Sequence, residues 1–253
     1  MRFLLKPPII GPFVEITAAK QVQMAVDTAL ASRCAVRITS NPGRGKTFAL
    51  WHICAKLGGY YCQVASEQKA GRGLWEMLLA SAHVTHDCRH AGNMADLVYS
   101  RFDCRHDPEP LLLVIDEYQN IEPAYQRELL SLQETAQIAL VLAGNTVGLR
   151  RRSVDAIALE QIDDRIWHNV RVSELSAEDC RSIGIEFNVE GKDAYSAITA
   201  FGLRSNARQL VRLLSNARAL TQGQGSVQLR HIESALLARN GSGNDLSLLE
   251  PVA

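Results

Sequence analysis

Residues Ser40-Asn41-Pro42-Gly43-Arg44-Gly45-Lys46-Thr47 read SNPGRGKT, one residue away from the phosphate-loop pattern G-x-x-x-x-G-K-[ST], because a serine stands where the first glycine is wanted. Such a loop works when successive backbone N–H groups curl around an anion at a helix N-terminus. A lysine then reaches the outer phosphates and a Ser or Thr hydroxyl helps to hold magnesium. Here Asn41, Pro42, Gly43, Arg44 and Gly45 form the candidate cradle, Lys46 supplies the charge and Thr47 the hydroxyl. The serine precedes the expected phosphate contacts, and it costs about 1 kcal/mol at most if its backbone needs positive φ.

The neighbourhood of the loop decides how it is read. Cys34–Thr39 (CAVRIT) is a strand candidate and Thr47–Leu57 has helical apolar spacing, so the loop turns from strand to helix. Tyr60–Ala65 is a second strand, and Gly73–Ala82 and Asn93–Phe102 are helices. About seventy residues after the loop, Leu111–Ile115 forms a continuous apolar run ending in Asp116-Glu117, the pattern of a strand buried on both faces. Tyr125–Ala136 is helical, Ile138–Ala143 is another buried strand ending at Gly144-Asn145, and His168–Val172 closes the series. Strands alternating with helices imply a parallel α/β sheet with crossover helices. Beyond Ser173 the segments 177–183, 191–200, 205–220 and 229–239 read as helices. The expected domains are an α/β nucleotide-binding core over 1–172, a small all-helical lid over 173–241 and a flexible tail over 242–253.

Composition narrows the class. The 253 residues are 47% hydrophobic, enough to bury a core, and carry 27 basic against 27 acidic side chains. A formal charge of zero gives no overall pull toward nucleic acid. The charge is nonetheless uneven: residues 154–192 are rich in Asp and Glu, whereas 201–240 hold six arginines against the single acid Glu233. No membrane span or secretory leader is legible, so the expected location is cytoplasmic. Cys34, Cys54, Cys62, Cys88, Cys104 and Cys180 include no Cys-x-x-Cys pair and are read as reduced thiols, since the crowding of His83, His86, Cys88 and His90 matches no usual zinc spacing.

SNPGRGKT, LLLVIDEYQN and LVLAGN, in this order and spacing, resemble Walker A, Walker B and sensor 1 of the AAA+ ATPases. The resemblance implies a P-loop AAA+ core with a parallel five-stranded sheet followed by a helical lid, and ATP with Mg2+ as ligands. It gives Asp116 a water-mediated hold on magnesium alongside Thr47, and gives Glu117 the orientation or deprotonation of the attacking water. Asn145 takes the sensor 1 role. The segment QIDDRI at 161–166 resembles the one carrying the arginine finger, which places that role on Arg165 with Arg150, Arg151 and Arg152 as rivals. GLRSNARQLVRLL at 202–214 is similar to the sensor 2 helix, with Arg208 the better match to its phosphate-contacting arginine and Arg204 the second. Arg204, Arg208 and Arg212 share a helix face, which serves phosphate, DNA or only water.

The short core, the glutamine of IDEYQN, the AGN turn and the QxxxRI segment look most like the transposition-regulator ATPases, the group of the phage Mu B protein and the related TniB and TnsC proteins. That resemblance implies ATP-dependent assembly, as a ring or a helical filament, on double-stranded DNA and stimulation of a cognate transposase, without a membrane. Only thirty-nine residues precede Ser40, so DNA contact is expected from the core itself, with Lys69 and Arg72 as candidates and a plain polar loop as the alternative reading. Two other functions fit the same motifs: an ATPase oligomerising on a protein partner, as in secretion or signalling, and a replication initiator or clamp-loader-like ATPase.

Overall fold

A computed structural model describes residues 12–65, 71–88, 90–145, 156–221, 225–240 and 243–250. Two compact units divide the chain. The first contains Gln21–Asn41 and Thr47–Val172, and the second contains residues 12–20, Pro42–Lys46 and the chain from Ser173 onward.

The first unit is built on five parallel strands, β1 (Ala35–Ser40), β2 (Tyr60–Gln63), β3 (Leu112–Asp116), β4 (Ala139–Asn145) and β5 (His168–Arg171), in the order β2-β3-β4-β1-β5. The order follows from burial. β3 is buried at every position and β4 at all but its last, as their unbroken apolar runs require of central strands, while His168 and Asn169 of edge strand β5 are exposed. Helices α2 (Lys46–Lys56), α3 (Gly71–Ser81), α4 (Ala91–Phe102), α5 (Pro123–Ala136) and α6 (Ala156–Asp164) connect the strands. Leu74, Leu78, Leu79, Met94, Val98 and Phe102 of α3 and α4 are fully buried in one cluster with Leu113 and Ile115 of β3. Each such side chain contributes on the order of 1.5 to 3 kcal/mol.

Helix α1 (Thr17–Ser32) was not anticipated, and its composition explains why. Its buried face is made of Ala18, Ala19, Val22, Ala25, Val26 and Ala29, helically spaced but too small to stand out as a stripe.

The second unit gathers α7 (Ala177–Glu186), α8 (Lys192–Arg204), α9 (Ala207–Leu220) and α10 (Leu229–Asn240). Ser176 and Asp179 form a reciprocal capping box at the start of α7. The same Asp179 carboxylate accepts from the Thr17 backbone N–H at 2.6 Å and the Thr17 hydroxyl at 2.9 Å, fixing the start of α1. The tail, expected to be flexible, is a 3-10 helix over Gly243–Leu249, with Leu249 buried. Arg204 holds it by donating to the carbonyls of Ser247 (2.9 Å) and Glu250 (2.7 Å).

Candidate functional site

Because all five strands are parallel, their C-terminal ends share one edge of the sheet, where ligands bind in open α/β folds. Register places Ser40 opposite Asn145 and Asp116 opposite both Ala143 and Gln63. Ser40 is therefore an ordinary strand residue. Its φ is not among the positive ones, so the absent glycine costs no left-handed strain.

Asp116 is fully buried at the end of β3. Its Oδ1 accepts from the Glu117 backbone N–H at 2.9 Å, and its Oδ2 accepts from the Tyr61 hydroxyl of β2 at 2.9 Å. Burial first, and Asp116 beside it second, push the Tyr61 hydroxyl well above its ordinary range, so it stays a donor across the working pH range. Glu117 follows in a left-handed conformation (φ 57°, ψ 34°), which sets its side chain off from the strand. Its Oε2 accepts from the Gln119 amide and lies 3.5 Å from Asn145 Nδ2. The adjacent pair Asp116-Glu117 and Asn145, 28 residues beyond Glu117, thus meet at one edge. Tyr61 and Gln119 belong to the same network and were missed as site residues. Only the strand order β2-β3 reveals Tyr61, whereas Gln119 was visible as the glutamine after the acidic pair.

Thr47 is half-buried in the first turn of α2. A threonine hydroxyl and a carboxylate are hard oxygen donors of the kind magnesium takes, so Thr47 and Asp116 fit that ion chemically.

In the second unit the loop segment Pro42–Lys46 has left-handed backbone at Gly43 (φ +85°) and Gly45 (φ +88°), the turn geometry of an anion-binding nest. Lys46 is buried, while Asn41 and Pro42 are exposed. Arg44 forms an ion pair with Glu174. The Gly43 carbonyl accepts from the Arg208 backbone N–H at 2.9 Å, and the Asn206 side chain caps Gln209 N–H at 3.0 Å. Two of the unsatisfied N–H groups at the start of α9 are thereby paired. A cavity of about 250 Å³ lies in this unit, lined among others by Ile16, Arg44, Leu175, Arg204 and Asn206. Arg204 ends α8 and is engaged by the tail, so it does not share the helix face expected of it with Arg208 and Arg212, whose exposed side chains lie on α9.

The other expected residues lie elsewhere. Arg165 forms a fork with Glu134, at 2.7 Å from Nε to Oε1 and 2.6 Å from Nη2 to Oε2, and holds that carboxyl below its ordinary range. Arg72 is paired with Glu76 on α3 at 2.5 Å. Lys69 and Arg150, Arg151 and Arg152 lie outside the described residues. Among the described residues all six cysteines are free thiols, no group of three His, Cys, Asp or Glu side chains is placed to hold a metal, and no helix is long and apolar enough to cross a membrane.

Residues 22–147 match the family model described as AAA domain. None of the curated proteins matches the sequence. Among solved structures the chain is similar to Cdc6p from Pyrobaculum aerophilum, with TM-score 0.66 and 12% identity over 92% of this chain and 69% of that one. It is also similar to the Aeropyrum pernix ORC2 protein in its ADPNP-ADP complexes, with TM-score 0.65 and 15% identity over 92% of this chain and 71% of that one. The ADP form of that protein gives TM-score 0.60 and 16% identity over 92% and 70%. At these identities the likeness is one of fold: an α/β unit on a five-stranded parallel sheet followed by helices.

Proposed function

We propose that the chain is a Mg2+-dependent ATPase that assembles on double-stranded DNA in its ATP state and regulates transposition through a cognate transposase. The observation that carries the ATPase reading is the meeting of buried Asp116 with Glu117 and Asn145 at the C-terminal edge of a parallel sheet whose first strand runs into SNPGRGKT.

In this reading the N–H groups of 41–47 and the Lys46 ammonium bind the phosphates, and Thr47 and Asp116 hold Mg2+, which neutralises phosphate charge when bound. Glu117 accepts the proton of the attacking water or orients it, and Asn145 donates to water and the γ-phosphate. Arg208 contacts phosphate, and Arg165 completes a neighbour's site in trans. Head-to-tail contacts of that kind close into rings or continue as helices. Lys69 and Arg72 contribute weak, salt-sensitive contacts to the DNA backbone.

The DNA-directed part rests on the resemblance of IDEYQN, the AGN turn and QxxxRI to the transposition regulators. One observation favours a second reading, a replication-initiator-type ATPase: solved structures that share the fold over 92% of this chain include a Cdc6p and an ORC2 protein, the latter with ADPNP and ADP. Both readings require nucleotide turnover. The test is steady-state ATP hydrolysis with Mg2+, with and without duplex DNA, alongside calorimetric ATP binding by wild type and Lys46→Ala. Hydrolysis by wild type and loss of ATP binding in Lys46→Ala are expected; wild-type affinity in Lys46→Ala would contradict the site. Stimulation of a co-encoded transposase by the ATP-bound protein separates the first reading from the second.

A further inference from the structure

Gln119 is buried in the short 3-10 helix Tyr118–Asn120 that follows the acidic pair, and its two amide atoms serve different neighbours. Nε2 donates to Glu117 Oε2, and Oε1 accepts from the Asn145 backbone N–H at 3.2 Å. Only this orientation works, because turning the amide over would set its oxygen against a carboxylate and its NH2 against an N–H group. Asn145 Nδ2 approaches the same Glu117 oxygen at 3.5 Å, so the side-chain amides of Gln119 and Asn145 converge on Oε2.

Gly144 makes room for the arrangement. A Cβ there would collide with Gln119 Oε1 and stand 2.8 Å from the Tyr118 ring. Glu117 meanwhile sits in the left-handed region, which is strained for a non-glycine residue and persists only where surrounding contacts enforce it. A buried glutamine, a glycine that admits it and a strained glutamate thus form one device.

We propose that Gln119 is a positioning residue for ATP hydrolysis: it ties Glu117 Oε2 to the end of β4, fixing the rotation of the carboxylate relative to Asn145. This rests on the ATPase reading of Glu117. A glutamate free to swing presents its oxygens to water in many orientations, and misplacement by about 1 Å costs on the order of a hundredfold in rate. Gln119 itself needs no contact with nucleotide.

The test uses Gln119→Glu and Gln119→Met in the full chain. Gln119→Glu keeps an oxygen for the Asn145 N–H and loses the donor to Glu117; Gln119→Met keeps the length and loses both bonds. Steady-state ATPase assays with Mg2+ and duplex DNA should show kcat lowered about ten- to a hundredfold in both. KM and directly measured ATP affinity should stay within about twofold of wild type, the split expected of a group acting on chemistry and not on binding. In a Glu117→Gln background, Gln119→Glu should lower the single-turnover rate no further, because a residue acting through Glu117 has nothing left to position. A folded variant with wild-type kcat, a loss carried by KM, or multiplied losses in the double variant overturns the inference while leaving the ATPase reading intact. A wild-type chain without turnover removes that reading and the inference together.

Discussion

The backbone N–H of Arg208, in the first turn of α9, donates to the carbonyl of Gly43 at 2.9 Å, so the phosphate-loop segment itself caps the helix expected to act as sensor 2. The two residues are far apart in the chain, yet the contact needs only main-chain atoms. It would survive replacement of the Arg208 side chain that leaves the backbone in place.

Gly43 is the residue that cannot change without cost. Its φ is +85°, and a Cβ there would stand 2.5 Å from Asn206 Oδ1, the atom that caps Gln209 N–H. Gly43→Ala therefore imposes left-handed strain and displaces a cap, together about 2 to 3 kcal/mol. Denaturant unfolding should show that loss. Asn206→Ala, which removes the obstructing side chain, should add less than its own single cost when combined with Gly43→Ala. Strictly additive losses would contradict the packing.

Tyr61→Phe removes a half-buried donor from Asp116 Oδ2. A hydrogen bond to a charged group contributes about 1.5 to 3 kcal/mol, so unfolding free energy should fall by that order. The Mg2+ concentration needed for half-maximal ATPase should rise, because Asp116 loses one of its anchors. An unchanged magnesium dependence would detach Tyr61 from the site.

Alkaline pH should destabilise the protein through its buried thiols. Burial pushes Cys54 and Cys62 up to about 12 and Cys180 up to about 11, against an ordinary 9.0. These thiols stay protonated in the folded chain while the unfolded chain loses their protons. Their contribution is thus complete below pH 9 and declines as pH rises toward 11 or 12. Each adds a slope of about 1.4 kcal/mol per pH unit in that window. Unfolding free energies at pH 8, 9 and 10 measure the slope, and Cys54→Ala should make it shallower. A slope indifferent to Cys54 would contradict this account.

Arg165 is held by Glu134, but the partners are 29% and 52% exposed, and a surface pair of this kind is worth about 0 to 1 kcal/mol. Leaving Glu134 for a neighbouring subunit is therefore cheap. Arg165→Ala should keep ATP affinity and lose about a thousandfold of the assembled-state hydrolysis rate. Undiminished hydrolysis would move the finger to another arginine.

These residues mark what the sequence made legible. Leu112–Asp116 and Ala139–Asn145 stood out because strands buried on both faces need unbroken apolar runs, and SNPGRGKT because phosphate loops need glycine and lysine at fixed spacing. Helix α1 did not, since an alanine-rich face has little contrast. Tyr61 with Asp116, Thr17 with Asp179 and Arg165 with Glu134 are pairs 55, 162 and 31 residues apart. No local pattern encodes such contacts; they depend on strand order and on where helices end.

The central claim, that nucleotide state governs DNA binding, is tested most directly by fluorescence anisotropy of a labelled random-sequence duplex. Protein is titrated at low salt with ATP and Mg2+, with ADP, and without nucleotide. The account predicts salt-sensitive binding with ATP alone. Absence of binding in all three states, or equal binding in all three, would contradict it.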